Sequence, residues 1–345
     1  MNELLKHLTE AVGVSSQEKE VRLLIRDLIA DYVDEWRVDA LGNLIALKKG
    51  TGASSLRILV DAHMDEVGLM VTDVDSNGTL KFSAVGGFDA RALLGKVVQV
   101  GPKKHIGVIG ARPVHLLTSA QRQSLMKIDE MRIDIGAKNK EAVNGKVKVG
   151  DTAAFVTEYE ELGETAVAKA FDNRAGCAAL VELLRARPYP FDLYASFSVQ
   201  EEVGLRGATV AGYSVNPDAA IILECTPAFD LPNENDVSPN VALGKGPAIY
   251  IMDSVTIQDP RLVGHITRTA ANKGIPFQVR QPGGGGTNTG VIQRSGPGIP
   301  AATIAVPGRY AHTPAMMINL NDYANVVRLA EMSLRTLTPE VIKRN

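Results

Sequence analysis

The chain has 345 residues, of which 45% are hydrophobic and 22% are charged, and its formal net charge is −2. This composition is ordinary for a globular protein, and the length favours two domains over a single core. The small net charge gives no electrostatic basis for binding nucleic acid or an anionic membrane. No apolar run reaches the roughly 18 residues that a membrane span requires, and the N-terminus lacks a signal-peptide core. We therefore expect a cytoplasmic protein.

The first predicted elements are a helix, a hairpin and a buried strand. Ser15 and Glu18 fit a capping box, and the apolar residues after them recur at helical spacing, which predicts a helix from about 16 to 34. Alternating residues on both sides of a Gly-Asn turn predict a hairpin over 36–48. The apolar run Leu56 to Val60 then predicts a buried strand.

The pattern changes between residues 67 and about 160. Short alternating segments follow one another there, separated by Gly and Asn, and none of them suggests a long amphipathic helix. Closely spaced strands without helices favour a small β-barrel or sandwich. Beyond this segment helices and strands alternate again, with predicted helices at 173–185, 260–273 and 321–337. We therefore predict an α/β catalytic domain formed by residues 1–66 and 161–345, with an inserted β-barrel domain at 67–160.

Four predicted buried strands each end close to side chains that can bind a metal ion. Apolar runs of this length suit strands buried on both faces of an α/β sheet, and such sheets collect functional residues beyond the carboxyl ends of their strands. A further carboxylate, Asp172, begins a predicted helix. The sequence therefore predicts one site built from these side chains, which are His63, Glu201, Glu202, Glu224 and His312 together with Asp172.

The residue types in this set indicate two transition-metal ions. Two imidazoles with three of these carboxylates, Asp172, Glu202 and Glu224, suit zinc or cobalt, and also manganese, better than calcium or copper. The set is too large for one tetrahedral ion. We expect Asp172 to bridge two ions, one bound also by His63 and Glu224 and the other by Glu202 and His312.

Two neighbouring acids are expected to have other roles. If the backbone is extended at Glu201 and Glu202, their side chains point to opposite sides. Glu201 would then face the attacking water and act as general base. Asp65 lies two residues after His63 and is expected to fix the tautomer of its imidazole.

Two further features are expected to be structural. Cys177 and Cys225 are predicted to be reduced and packed. The run Gly283 to Thr287 lacks the Lys-Ser/Thr of a Walker motif, so it predicts a wall of the active-site cleft leading into a helix and not a nucleotide loop.

Four segments resemble the signature segments of metallopeptidase family forty-two, which contains tetrahedral and glutamyl aminopeptidases, some of them labelled cellulase or endoglucanase. They are Ala62 to Gly68, Lys169 to Arg174, Gln200 to Gly207 and Arg309 to Pro314. The stretch His105 to Leu117 is similar to the family's inserted domain. The resemblance implies a zinc-exopeptidase type of mixed sheet, and the same ligands, bridge and base.

The resemblance also implies an assembly, and the sequence departs from the family pattern at two positions. The β insert would be a dimerisation domain, and dimers would be able to form a hollow dodecamer. Glu224 stands where many relatives have Asp, which leaves the metal preference open. Asn288 also stands where relatives often have Asp, which leaves the role of that position open.

The expected function is a metal-dependent aminopeptidase that acts on short peptides. An N-acyl amino-acid deacylase or a carboxypeptidase on the same scaffold would need a cationic anchor for a substrate carboxylate. An endoglucanase would need two carboxylates on either side of the bond. A non-catalytic assembly protein with a vestigial site is the third alternative. The sequence leaves open which side chain the enzyme prefers at the substrate's N-terminal residue. The candidate anchors for an acidic side chain are Arg91, Arg112, Arg206, Arg280 and Arg309.

Overall fold

A computed structural model describes residues 2–230 and 241–344. Its α/β part contains one mixed sheet, and the strands outside the barrel are β1 (Glu35–Val38), β2 (Leu44–Lys48), β3 (Arg57–His63), β10 (Glu160–Leu162), β11 (Thr165–Ala168), β12 (Asp192–Ser198), β13 (Ala219–Pro227), β14 (Ala248–Tyr250), β15 (Gln278–Arg280), β16 (Ala301–Arg309) and β17 (Met316–Asn319). The order across the sheet is β1-β2-β12-β3-β13-β16-β17-β11-β10, and β14 pairs with both β15 and β16. The central strands β12, β3, β13 and β16 are parallel neighbours.

Helices cover both faces of this sheet. They are α1 (Glu3–Glu10), α2 (Lys19–Ile29), α4 (Phe171–Arg185), α5 (Arg206–Val215), α6 (Pro260–Lys273), α7 (Thr289–Gln293), α8 (Leu320–Thr336) and the short α9 (Pro339–Ile342), while α3 (Ser119–Gln123) lies outside this domain. Side chains of β13 alternate between two cores, with Ile221 and Leu223 packed on the α4 side and Ala220 and Ile222 on the α5 and α7 side. Burial on both faces explains why the strand is a continuous apolar run.

The inserted segment is a closed antiparallel barrel, as predicted. Its strands are β4 (Gly68–Val74), β5 (Leu80–Val85), β6 (Val97–Val100), β7 (His105–Gly110), β8 (Arg132–Asp134) and β9 (Thr152–Phe155), in the order β4-β5-β8-β7-β6-β9. Inward-facing apolar residues such as Leu69, Phe82 and Ile133 form a core separate from those of the main sheet. We keep residues 67–160 as the proposed bounds of the inserted domain.

One predicted helix start is wrong. The helix α2 begins at Lys19 and not near residue 16, because Ser15 and Glu18 make contacts elsewhere. Ser15 Oγ donates a hydrogen bond to Asp65 Oδ2 over 2.7 Å, and Glu18 Oε1 accepts from the backbone N–H of Ser16 and Gln200. These side chains therefore join the N-terminal segment to the predicted site and do not form a capping box.

Two other expectations concern the cysteines and the membrane. Cys177 and Cys225 are both free and buried, which confirms the prediction of packed thiols. Among the residues that the structure describes, no helix is long and apolar enough to cross a membrane. The cytoplasmic location stays a prediction.

Candidate active site

The predicted site residues meet at one edge of the sheet. Because neighbouring parallel strands share their carboxyl edge, the side chains that follow them converge. His63 is the last residue of β3, and Glu201 and Glu202 follow β12. His312 follows β16. Glu224 lies inside β13 and not beyond its end, because this strand continues to Pro227.

Asp172 lies between the two imidazoles. Its Oδ1 is 3.3 Å from Nε2 of His63, and its Oδ2 is 3.5 Å from Nε2 of His312. Glu224 Oε2 is 3.6 Å from the same nitrogen of His63, and Glu202 Oε2 is 3.4 Å from that of His312. The ligand atoms therefore form two groups, His63 with Asp172 and Glu224, and His312 with Asp172 and Glu202, and within each group they lie within 4.8 Å of one another.

The donor set fits divalent cations. Glu202 Oε1 and Glu224 Oε1 are buried and have no hydrogen-bond partner within residues 2–230 and 241–344. Burial raises the pKa of Glu224 to about 7, and it raises the pKa of Glu202 well above its usual value. Grouping carboxylates in a buried place is unfavourable unless positive charge lies among them. The orphaned oxygens and the mixture of N and O donors are what a pair of metal ions would satisfy.

The neighbouring charged groups also shift the pKa values of the two imidazoles and of Asp172. Burial favours the neutral form of His63, but the charges of Glu201 and Glu224 and the hydrogen bonds to Asp172 and Asp65 together raise the pKa of this imidazole well above its usual value. The hydrogen bond to Asp172 raises the pKa of His312. Burial likewise opposes ionisation of Asp172, but the two imidazoles hold its pKa well below the usual value. Asp172 is therefore the carboxylate that stays ionised between the two groups.

Asp65 supports both His63 and the segment that carries the glutamates. His63 Nδ1 lies 3.1 Å from the backbone oxygen of Asp65 and 3.4 Å from its Oδ1. The Asp65 carboxylate also accepts the backbone N–H of Glu201 over 3.0 Å and of Glu202 over 3.1 Å. The contact with the imidazole was expected from the sequence. The contacts with the two backbone amides were not, because no local pattern links residue 65 to residue 201.

The backbone at Glu201 and Glu202 turns and is not extended, so that expectation is wrong. Gln200 has a φ of 56°, and the carbonyl of Glu201 accepts from the N–H groups of Gly204 and Leu205. Both glutamates consequently face His63, and the three residues form a further group of potential ligands. Glu201 Oε2 is 4.0 Å from His63 Nε2, farther than either Asp172 or Glu224. Alternation along a strand therefore does not place Glu201 and Glu202 on opposite sides.

Glu18 is a buried acid that sequence reasoning missed. Its carboxylate accepts the N–H of Gln200 over 3.3 Å, next to Glu201. Burial raises the pKa of Glu18 to about 7, and the charge of Asp65 adds to this. In the sequence its spacing from Ser15 resembled a capping box, so nothing there distinguished it.

A cavity of about 360 Å³ opens beside these residues. Its lining includes Gly284, Gly285 and Gly286, and α7 begins shortly afterwards at Thr289, which agrees with the predicted cleft wall leading into a helix. His312 is 44% exposed at the cavity and is the most accessible of the predicted ligands. Of the five arginines considered as anchors, all within the described ranges, Arg280 alone lines the cavity.

The fold places, at the carboxyl edge of an α/β sheet, a group of side chains that could hold metal ions, an arrangement suited to a hydrolase. The model of the M42 glutamyl aminopeptidase family matches residues 42–329. The chain belongs to this family, and it is therefore a peptidase. Membership in this metallopeptidase family implies divalent metal ions, for which the His and carboxylate groups described above offer ligands.

Curated relatives agree with the family assignment. The chain is 40% identical over 330 residues to a provisionally named aminopeptidase of Acetivibrio thermocellus, covering 95% of this chain and 97% of the relative. It is 33% identical over 345 residues to the lysyl aminopeptidase of Pyrococcus furiosus, covering 98% and 97%.

Solved structures match over nearly the whole chain. An aminopeptidase from the archaeon Desulfurococcus kamchatkensis has a TM-score of 0.94 and 35% identity, covering 99% of this chain and 96% of that one. The TET1 peptidase of Pyrococcus horikoshii, which can assemble into a tetrahedron or a large octahedral shell, has a TM-score of 0.87 and 35% identity, covering 97% and 99%. A Thermotoga maritima protein labelled endoglucanase has a TM-score of 0.81 and 36% identity, covering 98% of each chain.

Proposed function

We propose that this protein is a dinuclear metal-dependent aminopeptidase that releases N-terminal residues from short peptides. The observation that carries the proposal is Asp172, whose two oxygens point to different imidazoles and belong to both ligand groups. Asp172 would bridge two ions, with His63 and Glu224 on one and Glu202 and His312 on the other. Zinc or cobalt suits these ligands best, and manganese is the third candidate.

The protein's own residues would bind and position the reactants. When bound, the two ions would polarise the scissile carbonyl and lower the pKa of the attacking water. Glu201 lines the cavity beside both ligand groups, and we assign it as the general base that takes a proton from this water and gives it to the leaving amine. Asp65 would keep the imidazole of His63 and the backbone of Glu201 in place.

The relatives named aminopeptidases support a free amine as the group that the site recognises. An endoglucanase would instead need a pair of acids on either side of the scissile bond, whereas these acids are grouped with imidazoles. A vestigial site is disfavoured because all the expected positions still carry ligating side chains.

One experiment separates these functions. Metal-free protein, prepared with a chelator, is supplied with zinc, cobalt or manganese and tested on aminoacyl p-nitroanilides, on their N-acetyl forms, on N-acyl amino acids and on a soluble cellulose. We expect hydrolysis of the free-amine substrates alone, restored by added metal. Cleavage of N-acyl amino acids would support the deacylase, and chelator-resistant cleavage of cellulose would support the endoglucanase.

We also propose that the barrel is a dimerisation domain and that dimers can assemble into a dodecamer. Val97 and Val108 lie opposite each other on β6 and β7, and both are exposed together with Ile106 on the same face. The solved TET1 relative forms large assemblies. Ile106→Asp should give a smaller species by light scattering, whereas Tyr213→Asp, at an exposed apolar residue of α5, should not. An unchanged size for Ile106→Asp would indicate that the interface lies elsewhere.

A further inference from the structure

Three charged side chains form a buried cluster beside the candidate metal site. Glu66, Lys169 and Arg174 are 1%, 2% and 0% exposed. Lys169 Nζ donates to both carboxylate oxygens of Glu66 over 2.8 Å, and Arg174 Nη2 donates to Glu66 Oε1 over 3.2 Å. Charged groups are rarely buried unless they are paired, and here two cations share one anion. We call these three residues the buried triad.

Backbone carbonyls at the end of α1 complete the surroundings of the two cations. Arg174 Nη1 donates to the carbonyls of Leu8 and Ala11 over 2.6 and 2.9 Å, and Lys169 Nζ donates to that of Ala11 over 3.0 Å. Leu8 lies in the last turn of α1 and Ala11 caps it, where the helix dipole is negative. The end of this helix therefore offsets the excess positive charge of the buried triad.

The buried triad lies on the same two segments that carry predicted metal ligands. Glu66 comes three residues after His63, and Lys169 and Arg174 stand on either side of Asp172 in the sequence. Glu66, Lys169 and Asp172 also line one small cavity. The triad is therefore next to the ligand groups in space as well as along the chain.

One member of the triad joins the two ligand-bearing segments directly. Asp172 and Asn173 have non-helical dihedral angles, although they lie in the first turn of α4. A regular helical turn therefore does not fix the carboxylate of Asp172. Arg174 Nε donates over 2.7 Å to the carbonyl of Met64, the residue after His63. This contact holds the turn that carries Asp172 against the strand end that carries His63.

We propose that the buried triad positions the bridging carboxylate of Asp172 relative to His63, and that it thereby sets the affinity of the site for metal ions. Lys169 and Arg174 would be positioning residues and not ligands, because their charged side chains offer only N–H donors. This inference rests on the proposed binding of metal by Asp172 and His63, but not on the reaction that follows. Residues that orient metal ligands typically change metal affinity by about 10- to 100-fold.

The test replaces Lys169 by Met, which removes the charge and nearly keeps the length of the side chain. Metal-free protein is titrated calorimetrically with Co²⁺, and the absorption of the bound cobalt reports the coordination geometry. Lys169→Met should raise the Kd for both ions by roughly 10- to 100-fold and should shift the cobalt absorption, because Asp172 belongs to both ligand groups. Glu66→Gln keeps an acceptor oxygen and removes the negative charge, so it should change both readouts in the same direction.

Lys48→Met is the matched control for loss of a buried lysine. Lys48 is also buried, and its Nζ donates to the carbonyls of Tyr32 and Leu184. It pairs with Leu193 near the start of β12, whereas Glu201 follows the other end of that strand. Lys48→Met should lower the stability measured by urea unfolding and should leave the cobalt Kd and absorption unchanged.

A double variant tests whether the buried triad acts as one unit. If Lys169→Met and Glu66→Gln disturb the same contact, their effects on the cobalt Kd should not multiply, and the double variant should bind cobalt about as well as the weaker-binding single variant. Effects that multiply would show that the two residues act independently, and would overturn the triad as a positioning unit.

An unchanged cobalt Kd and absorption in folded Lys169→Met would overturn the inference. Equal losses of cobalt affinity in Lys169→Met and Lys48→Met would also overturn it, since this is the result for a purely structural residue. If Lys169→Met does not fold, Glu66→Gln compared with Lys48→Met decides in the same way. Failure of the proposed function has a different result, because wild-type protein that binds two cobalt ions but releases no N-terminal residues would leave the positioning role intact.

Discussion

Asn288 Nδ2 donates a hydrogen bond over 2.8 Å to Oδ2 of Asp61, and both side chains are fully buried. The same amide group lies 3.0 Å from Ser198 Oγ, which itself donates to Asp61. Asp61 stands on β3 two residues before His63. The amide at position 288 therefore supplies a donor to this buried carboxylate, which gives Asn288 a structural role beside β3.

Replacement of Asn288 by Asp should destabilise the protein. It would bring a second carboxylate against Asp61 in a buried place and remove a donor, at a cost of roughly 3 kcal/mol. Urea unfolding of the metal-free protein at neutral pH measures the change. In the double variant Asp61→Asn with Asn288→Asp, one carboxylate and one amide face each other again, so part of the stability should return. Equal stability of Asn288→Asp and wild type would show that the hydrogen bond is unimportant.

Glu18 should make stability depend on pH. Its pKa is raised by burial from 4.5 to about 7 in the folded protein, so the protonated form is favoured by folding. The stabilisation is fully present below about pH 4.5 and is lost as pH rises through about 7, up to about 3 kcal/mol in all. Glu18→Gln keeps an acceptor oxygen and does not ionise. We expect this variant to gain stability relative to wild type between pH 5 and pH 8, and parallel pH profiles of unfolding would contradict the assignment.

Much of the site could be predicted because its signals are local. Apolar runs that are buried on both faces marked the central strands, and ligating residues at their ends marked the edge where they meet. The barrel was predictable for a similar reason, because the alternation of apolar and polar residues is visible within each short segment, whichever strand it pairs with. The contacts that hold the site together could not be predicted in this way. Asp65 accepts hydrogen bonds from the amides of residues 201 and 202, which are distant in the sequence and become neighbours only in the folded chain.

The helix α5 was not predicted, and its sequence explains why. Gly207 and Gly212 lower helix propensity, so a sequence pattern favours a loop there. In the fold, a Cβ on Gly207 would lie 2.4 Å from the carbonyl oxygen of Val199, and one on Gly212 would lie 2.9 Å from Ser295 Oγ. Glycine is therefore required for close packing of the helix. Tertiary contacts, absent from any local pattern, decide this element.

Glu201→Gln should separate the base from the ligands. Loss of general-base catalysis should lower kcat by at least about 100-fold while two metal ions per chain are retained. Glu202→Gln is the matched control at the adjacent residue, and it should weaken the metal group that contains His312. Metal analysis alongside single-turnover rates makes the comparison. Loss of one metal equivalent in Glu201→Gln, with full occupancy in Glu202→Gln, would mean that the two roles are exchanged.

The central claim is that Asp172 holds two metal ions at once, and the metal content of Asp172→Ala after dialysis tests it most directly. Without this carboxylate, two dications roughly 3.5 to 4 Å apart would repel each other with no anion between them. We predict that Asp172→Ala loses both ions and all activity, whereas His63→Ala and His312→Ala each weaken mainly one site. Retention of two ions per chain in Asp172→Ala would contradict the bridge, and with it the dinuclear mechanism.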